Sequence, residues 1–162
     1  MSNPLRDAVG RRLHAIIDAR IAEAREQQLQ RFQVFGPPER LHLAPDAKVN
    51  DALFNTVSGS ITVEPGAFFG HGVQVLTGTH DILVRGAARQ EAIPRSGQDV
   101  RIGAGAWVSS RALVLGPCTI GADAVVGAGA VVTEDVPAGA VVVGVPARIV
   151  RRLESGIRQR ST

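Results

Sequence analysis

IGAGAW VSSRAL VLGPCT IGADAV VGAGAV, the stretch from Ile102 to Val131, repeats every six residues. Ile102, Val108, Val114, Ile120 and Val126 open the hexads, and Val132 and Ala138 continue the frame. Gly103, Ser109, Gly121 and Gly127 follow the opening residue, and the position four on is small: Ala106, Ala112, Cys118, Ala124, Ala130. A strand alternates every two residues and a helix returns every 3.6. A strict six with one large apolar, one turn-permissive and one small residue therefore describes a short strand and a corner, repeated. Each hexad is one flat side of a solenoid whose interior the large residue fills, while the small one fits where the walls converge. An aromatic content of 4% with no Tyr agrees with an interior too narrow for large rings.

Counted upstream, the same frame predicts an earlier run at Leu43, Val49, Asn55, Ile61, Ala67, Val73 and Thr79, with Asn55 and Thr79 breaking the apolar rule. Between Thr79 and Ile102 lie 22 residues, too many for a corner, with Arg85, Arg89, Arg95 and Arg101 among the breakers Gly86, Pro94 and Gly97. Long loops thrown from a rigid scaffold are where function concentrates. Upstream, Leu5, Val9, Leu13, Ile16, Ile17 and Ile21 keep helical spacing, which predicts a helix from residue 4 to about 33, started by Asn3-Pro4 and ended by Gly36-Pro37-Pro38. Such a helix is expected to close the open end of the solenoid or to pack on a neighbouring subunit. The division expected is an N-terminal helical segment over 1–40, a solenoid over 41–147 with the loop at 80–101, and a basic tail over 148–162.

The 162 residues suit one domain. The net charge of +3 comes from scattered basic residues without an aromatic platform, which argues against a nucleic-acid partner. One cysteine makes no internal disulfide, so Cys118 reads as a core thiol. Neither a secretory leader nor eighteen consecutive apolar residues is present, so a cytoplasmic protein without an integral membrane segment is expected. Val126-Gly127-Ala128-Gly129 superficially suggests a dinucleotide fingerprint, but no third glycine and no helix follow.

The hexads, the run Leu76-Thr77-Gly78-Thr79-His80-Asp81 and the tail Gly144-Val145-Pro146-Ala147-Arg148-Ile149-Val150-Arg151 resemble the left-handed β-helix acyltransferases, especially the maltose and galactoside type of sugar O-acetyltransferase. The resemblance covers roughly residues 42 to 153. It implies an all-β solenoid, a left-handed parallel β-helix with three hexads per turn and nearly five turns, assembled as a homotrimer with sites between subunits. It further implies an acetyl-CoA-dependent O-acetyltransferase acting on a sugar or glycan hydroxyl, without a required metal. An amine acceptor is the alternative.

Acetyl transfer to a hydroxyl needs a base, a donor to the oxyanion and a slot for the pantetheine arm. The resemblance makes His80, at the root of the loop, the general base, with Glu91 or the adjacent Asp81 holding its other nitrogen. It places Trp107 along the acceptor and pantetheine tunnel, Asn55 at the acceptor's hydroxyls unless it is a buried ladder residue, and Ser110, Ala128, Thr133, Arg148 and Arg151 on the coenzyme. Arginine suits phosphate because its planar donors grip two oxygens. Arg148 and Arg151 are expected on one face of a helical turn. Glu134 departs from the family's usual lysine. His14 and His42 read as solvated, and His71 as an inward, hydrogen-bonded histidine or a partner of the site. Two other classes fit the same prism less well: zinc carbonic anhydrases, which need three converging histidines, and a non-catalytic scaffold.

Overall fold

The structure is a computed structural model that describes residues 12–21 and 32–153. The chain divides into two compact units, residues 1–31 and 32–162. In the first, residues 12–21 form helix α1, with Leu13, Ile16, Ile17 and Ile21 exposed. Asn3, Pro4, Leu5 and Val9 lie outside the described residues. The expected helix does not reach residue 33, because Gln33–Phe35 is already a strand.

The second unit is built from three sheets. The first contains β1 (Gln33–Phe35), β3 (Leu53–Asn55), β6 (Gln74–Leu76), β9 (Leu113–Leu115) and β12 (Val131–Val132). The second contains β2 (Leu41–Leu43), β4 (Ile61–Val63), β7 (Val100–Ile102) and β10 (Cys118–Ile120). The third contains β5 (Phe68–Phe69), β8 (Trp107–Val108), β11 (Val125–Val126), β13 (Ala140–Val143) and β14 (Arg148–Arg152). Every strand pair is parallel except β13 with β14. Parallel neighbours need a crossover, and here the other two sides of the same turn supply it, so the chain coils and adds one strand to each sheet per turn. The coil starts at β1, eight residues earlier than the expected boundary at 41.

Downstream of the loop the six-residue frame holds. Val100 faces Cys118, Trp107 faces Val125 and Leu113 faces Val131, each pair eighteen residues apart. Ile102, Val108, Val114, Ile120, Val126 and Val132 are buried, as are Ala106, Ala112, Cys118, Ala124 and Ala130. The last turn is two residues short, since Ile120 pairs with Val136, so Val136 and Ala140 are inside and Ala138 is exposed.

Upstream the frame is corrected. Leu41 faces Ile61 and Leu53 faces Gln74, so these coils run to twenty and twenty-one residues and a count by six drifts out of register. The large inward positions are Val63, Phe69 and Val75, which stack on Ile102, Val108 and Val114. Ala67 and Val73 take the small corner positions instead, and Thr79 is exposed, outside the repeat. Asn55 breaks no rule: its neighbour Phe54 fills the interior, leaving Asn55 on the opposite face of β3.

The tail is corrected as well. Arg148–Arg152 is a strand, not a helical turn, and β-branched Ile149 and Val150 favour it. A bulge sets Arg148 against Val143 and Arg151 against Val141, two positions on the outward face of β13. The two arginines therefore share a face after all, by a different geometry.

Candidate functional site

His80 follows β6, at the corner where the first sheet hands over to the second, and opens the expected loop. The neck of the loop is tied by Asp81 N donating to Ala92 O at 2.7 Å, and its far end by Gln98 N to Ser58 O and Ser60 N to Asp99 Oδ1. Inside it, the short helix α2 (Ala88–Glu91) is braced by Arg89, whose Nε donates to Val84 O at 2.6 Å. The carbonyl of the same Arg89 accepts from His80 Nδ1 at 2.8 Å. A carbonyl only accepts, so Nδ1 carries a proton, and in the neutral imidazole it is Nε2, on an exposed side chain, that holds the lone pair.

This corrects the expected partner of His80. Neither Glu91 nor Asp81 holds the ring: Asp81 Oδ1 accepts from Leu83 N, and Glu91 has no side-chain hydrogen bond among the described residues. The acceptor for Nδ1 is instead a backbone oxygen of α2.

Asn55 lies beside this corner. Its Oδ1 accepts from Val57 N at 3.0 Å, and its amide sits over Gly78, where an added Cβ would fall 2.5 Å from Asn55 Nδ2. The turn into His80 thus runs directly beneath Asn55, so that a larger residue at 78 would have to displace the Asn55 side chain.

Other expected residues gather at the corner between the third and first sheets. In register, His71, Ser110 and Ala128 stack on successive coils, followed by Gly72, Arg111 and Gly129, all in left-handed backbone. Ser110 O accepts from Gly129 N, and Ser110 Oγ accepts from His71 N at 3.2 Å. His71 is corrected here: it is not inward, because the drifting frame misplaced it. Its side chain is 62% exposed and its Nδ1 lies 3.2 Å from Asp51 Oδ1. The Asp51 carboxyl is held below its usual value chiefly by the Gly72 amide, with His71 adding to the effect.

Trp107 faces outward from β8, 42% exposed, and stacks on Phe68 with ring centroids 5.7 Å apart and planes 13° from parallel. Phe68 carries no signal of this pairing in the sequence, since its partner Trp107 lies 39 residues on, across the loop. Thr133 and Arg148 line one depression of about 270 Å³ with Glu134, Asp135 and Ile149. Among the described residues no three His, Cys, Asp or Glu side chains converge as a metal site, and no helix there is long and apolar enough to cross a membrane.

His80 and Asn55 thus occupy one corner of the coil, and Ser110 and Ala128 another, separated by a whole side of about six residues or roughly 20 Å. One chain does not bring them together.

Residues 99–134 match the family model described as bacterial transferase hexapeptide (six repeats). The matched stretch is the one in which the six-residue frame holds. The coil of this chain is similar to that of a maltose O-acetyltransferase from Clostridium difficile 630, with 27% identity, 79% of this chain and 72% of that one covered, and a TM-score of 0.63. A hexapeptide-repeat acetyltransferase from Vibrio cholerae, complexed with acetyl coenzyme A, is 28% identical over 82% of this chain and 78% of its own, with a TM-score of 0.54. Serine acetyltransferase 2 of Arabidopsis thaliana is 30% identical over 90% of this chain but only 39% of its own length. The chain spans about half the length of curated relatives such as these.

Proposed function

We propose that this protein is an acyltransferase that moves acetyl from acetyl-CoA to a hydroxyl of a sugar or glycan, as a homotrimer of left-handed β-helices in the cytoplasm. The observation that carries the reading is the seating of His80 Nδ1 on the Arg89 carbonyl, which leaves Nε2 as a base at the root of an ordered loop. Support for the reaction class comes from relatives named as acetyltransferases, one of them solved with acetyl-CoA.

In this reading Nε2 takes the proton of the acceptor hydroxyl as its oxygen attacks the thioester carbonyl carbon. The C–O bond forms, the C–S bond breaks, and the proton held on the imidazolium passes to the leaving thiolate. Asn55 contacts the acceptor, and Trp107, Ser110 and Ala128 line the pantetheine arm. Thr133, Arg148 and Arg151 meet the phosphates, a role that the shared depression of Thr133 and Arg148 and the common face of the two arginines support. The distance between the two corners within one chain favours a site completed by a second copy, with His80 of one protomer facing the coenzyme corner of its partner. The test is release of thiol from acetyl-CoA in the presence of maltose, galactosides and nucleotide sugars. Sugar-dependent release by the purified protein is expected, and its absence with every acceptor would remove the reading.

A further inference from the structure

The proposed reaction leaves one pair of polar side chains without a task. Asp51 and His71 stand at the corner that carries Ser110 and Ala128, on the N-terminal side of them. A carboxylate accepts, so His71 Nδ1 carries a proton and Nε2 is the free nitrogen, with no partner among the described residues. Asp51 is itself fixed by Gly72 N at 2.9 Å, and the His71 backbone by its amide on Ser110 Oγ, so the ring is set by one anchored carboxylate on an anchored turn while most of its surface meets solvent. A histidine oriented in this way is built to present one nitrogen at a defined place.

The corner has a direction. Arg148, proposed for the phosphates, pairs with Val143 beside Gly127 at its C-terminal end, and Ala128 and Ser110 step towards the N-terminus one coil at a time. Coils are about 4.8 Å apart, so the next step beyond Ser110, where the thioester end of the arm arrives, is His71. Three residues before His71 and Ser110 on their strands stand Phe68 and Trp107, stacked and each about two-fifths exposed. Three extended residues span roughly 10 Å, and a hydrogen-bonding nitrogen that far along the strand from an apolar aromatic wall suits a molecule with hydroxyls on its rim and C–H groups on its face.

We propose that His71, positioned by Asp51, is an acceptor subsite for a carbohydrate, its Nε2 hydrogen-bonding a ring hydroxyl beside the one that is acetylated, with Phe68 and Trp107 as the wall. This rests on the coenzyme path proposed above. Trp107 is the only tryptophan, so its fluorescence reports on the site without turnover.

The experiment titrates the full-length protein, saturated with CoA, with maltose and with methyl galactoside, and measures thiol release from acetyl-CoA in parallel. The wild type is expected to show a saturable fluorescence change with at least one sugar. His71→Ala should weaken it by about five- to tenfold, the worth of one lost hydrogen bond, with the CoA titration unchanged. Asp51→Ala should behave like His71→Ala, whereas Asp51→Asn, which keeps an acceptor oxygen for Nδ1 and Gly72, should retain most of the sugar response. An unchanged sugar response in His71→Ala overturns the subsite even if transfer is intact. An equal loss of sugar and CoA binding overturns it too, since the pair would then merely hold the corner. If no thiol is released by the wild type with any sugar, the functional reading fails separately, and absence of any sugar response removes the subsite with it.

Discussion

A carbonyl oxygen accepts and never donates, and that constraint alone fixes the tautomer of His80. If Nε2 is the base, His80→Ala should lower turnover by ~10²–10⁴-fold, the range for removing general base catalysis, while acetyl-CoA affinity stays nearly intact. Steady-state rates with the best sugar acceptor, beside a CoA titration, check both halves. Because Arg89 O rather than a carboxylate holds the ring, Glu91→Gln should leave turnover within a few-fold of wild type in the same assay. The histidine was legible as a chemistry-bearing residue at the end of a repeat, but its partner was not. Every residue has a carbonyl, so a backbone acceptor leaves no trace in residue types, whereas a carboxylate such as Glu91 does. His71 stands outside the core rather than inside it, because a count by six loses register between residues 49 and 63.

That slip is the lesson at the scale of elements. Eighteen-residue coils keep a count by six in phase, and the downstream core from Ile102 to Val132 was readable residue by residue. Coils of twenty and twenty-one residues do not, because corners at 49–54 and 54–63 gain or lose residues without a marker in hydrophobicity. Cys118, small and inward in β10, tests the legible part. Burial pushes its thiol from 9.0 to about 12, with Asp135 adding to the rise. A thiol reagent at pH 8 should find it silent in the folded protein and reactive after denaturation. This acid's folded value is raised, so the unfolded chain ionises first, and the stability it lends should fall as pH climbs above 9.0 towards about 12. Denaturant midpoints compared with those of Cys118→Ala across that window check the sign. At the other corner, Gly78→Ala would drive a Cβ into the Asn55 amide, and overpacking of this kind costs about 1–3 kcal/mol. The expected result is a lower denaturant midpoint and a fall in turnover, since the displaced turn carries His80. The strand β14 could have been anticipated from Ile149 and Val150, although the bulge that aligns Arg148 with Arg151 could not. If both grip phosphate, Arg148→Ala or Arg151→Ala should raise the Michaelis constant for acetyl-CoA by about 10- to 100-fold, the worth of a charge-assisted contact. The defect should shrink with the 3′-dephospho donor if the 3′-phosphate is the one gripped.

For the whole molecule the governing fact is separation: His80 and Asn55 mark one corner of the coil, Ser110 and Ala128 another, a full side apart. Under the proposed trimer each site takes its base from one protomer and its coenzyme grip from the next, so two inactive variants should rescue each other when they share an assembly. The most direct measurement mixes His80→Ala with the Arg148→Ala, Arg151→Ala double variant in equal amounts, exchanges subunits by denaturing and refolding, and reads thiol release at acetyl-CoA well below its Michaelis constant. Random reassembly of a cyclic trimer with shared sites predicts recovery of about a quarter of the wild-type rate, far above either variant refolded alone. A mixture no more active than the sum of its separate parts would contradict the composite site, and with it the pairing of His80 to a partner's coenzyme corner.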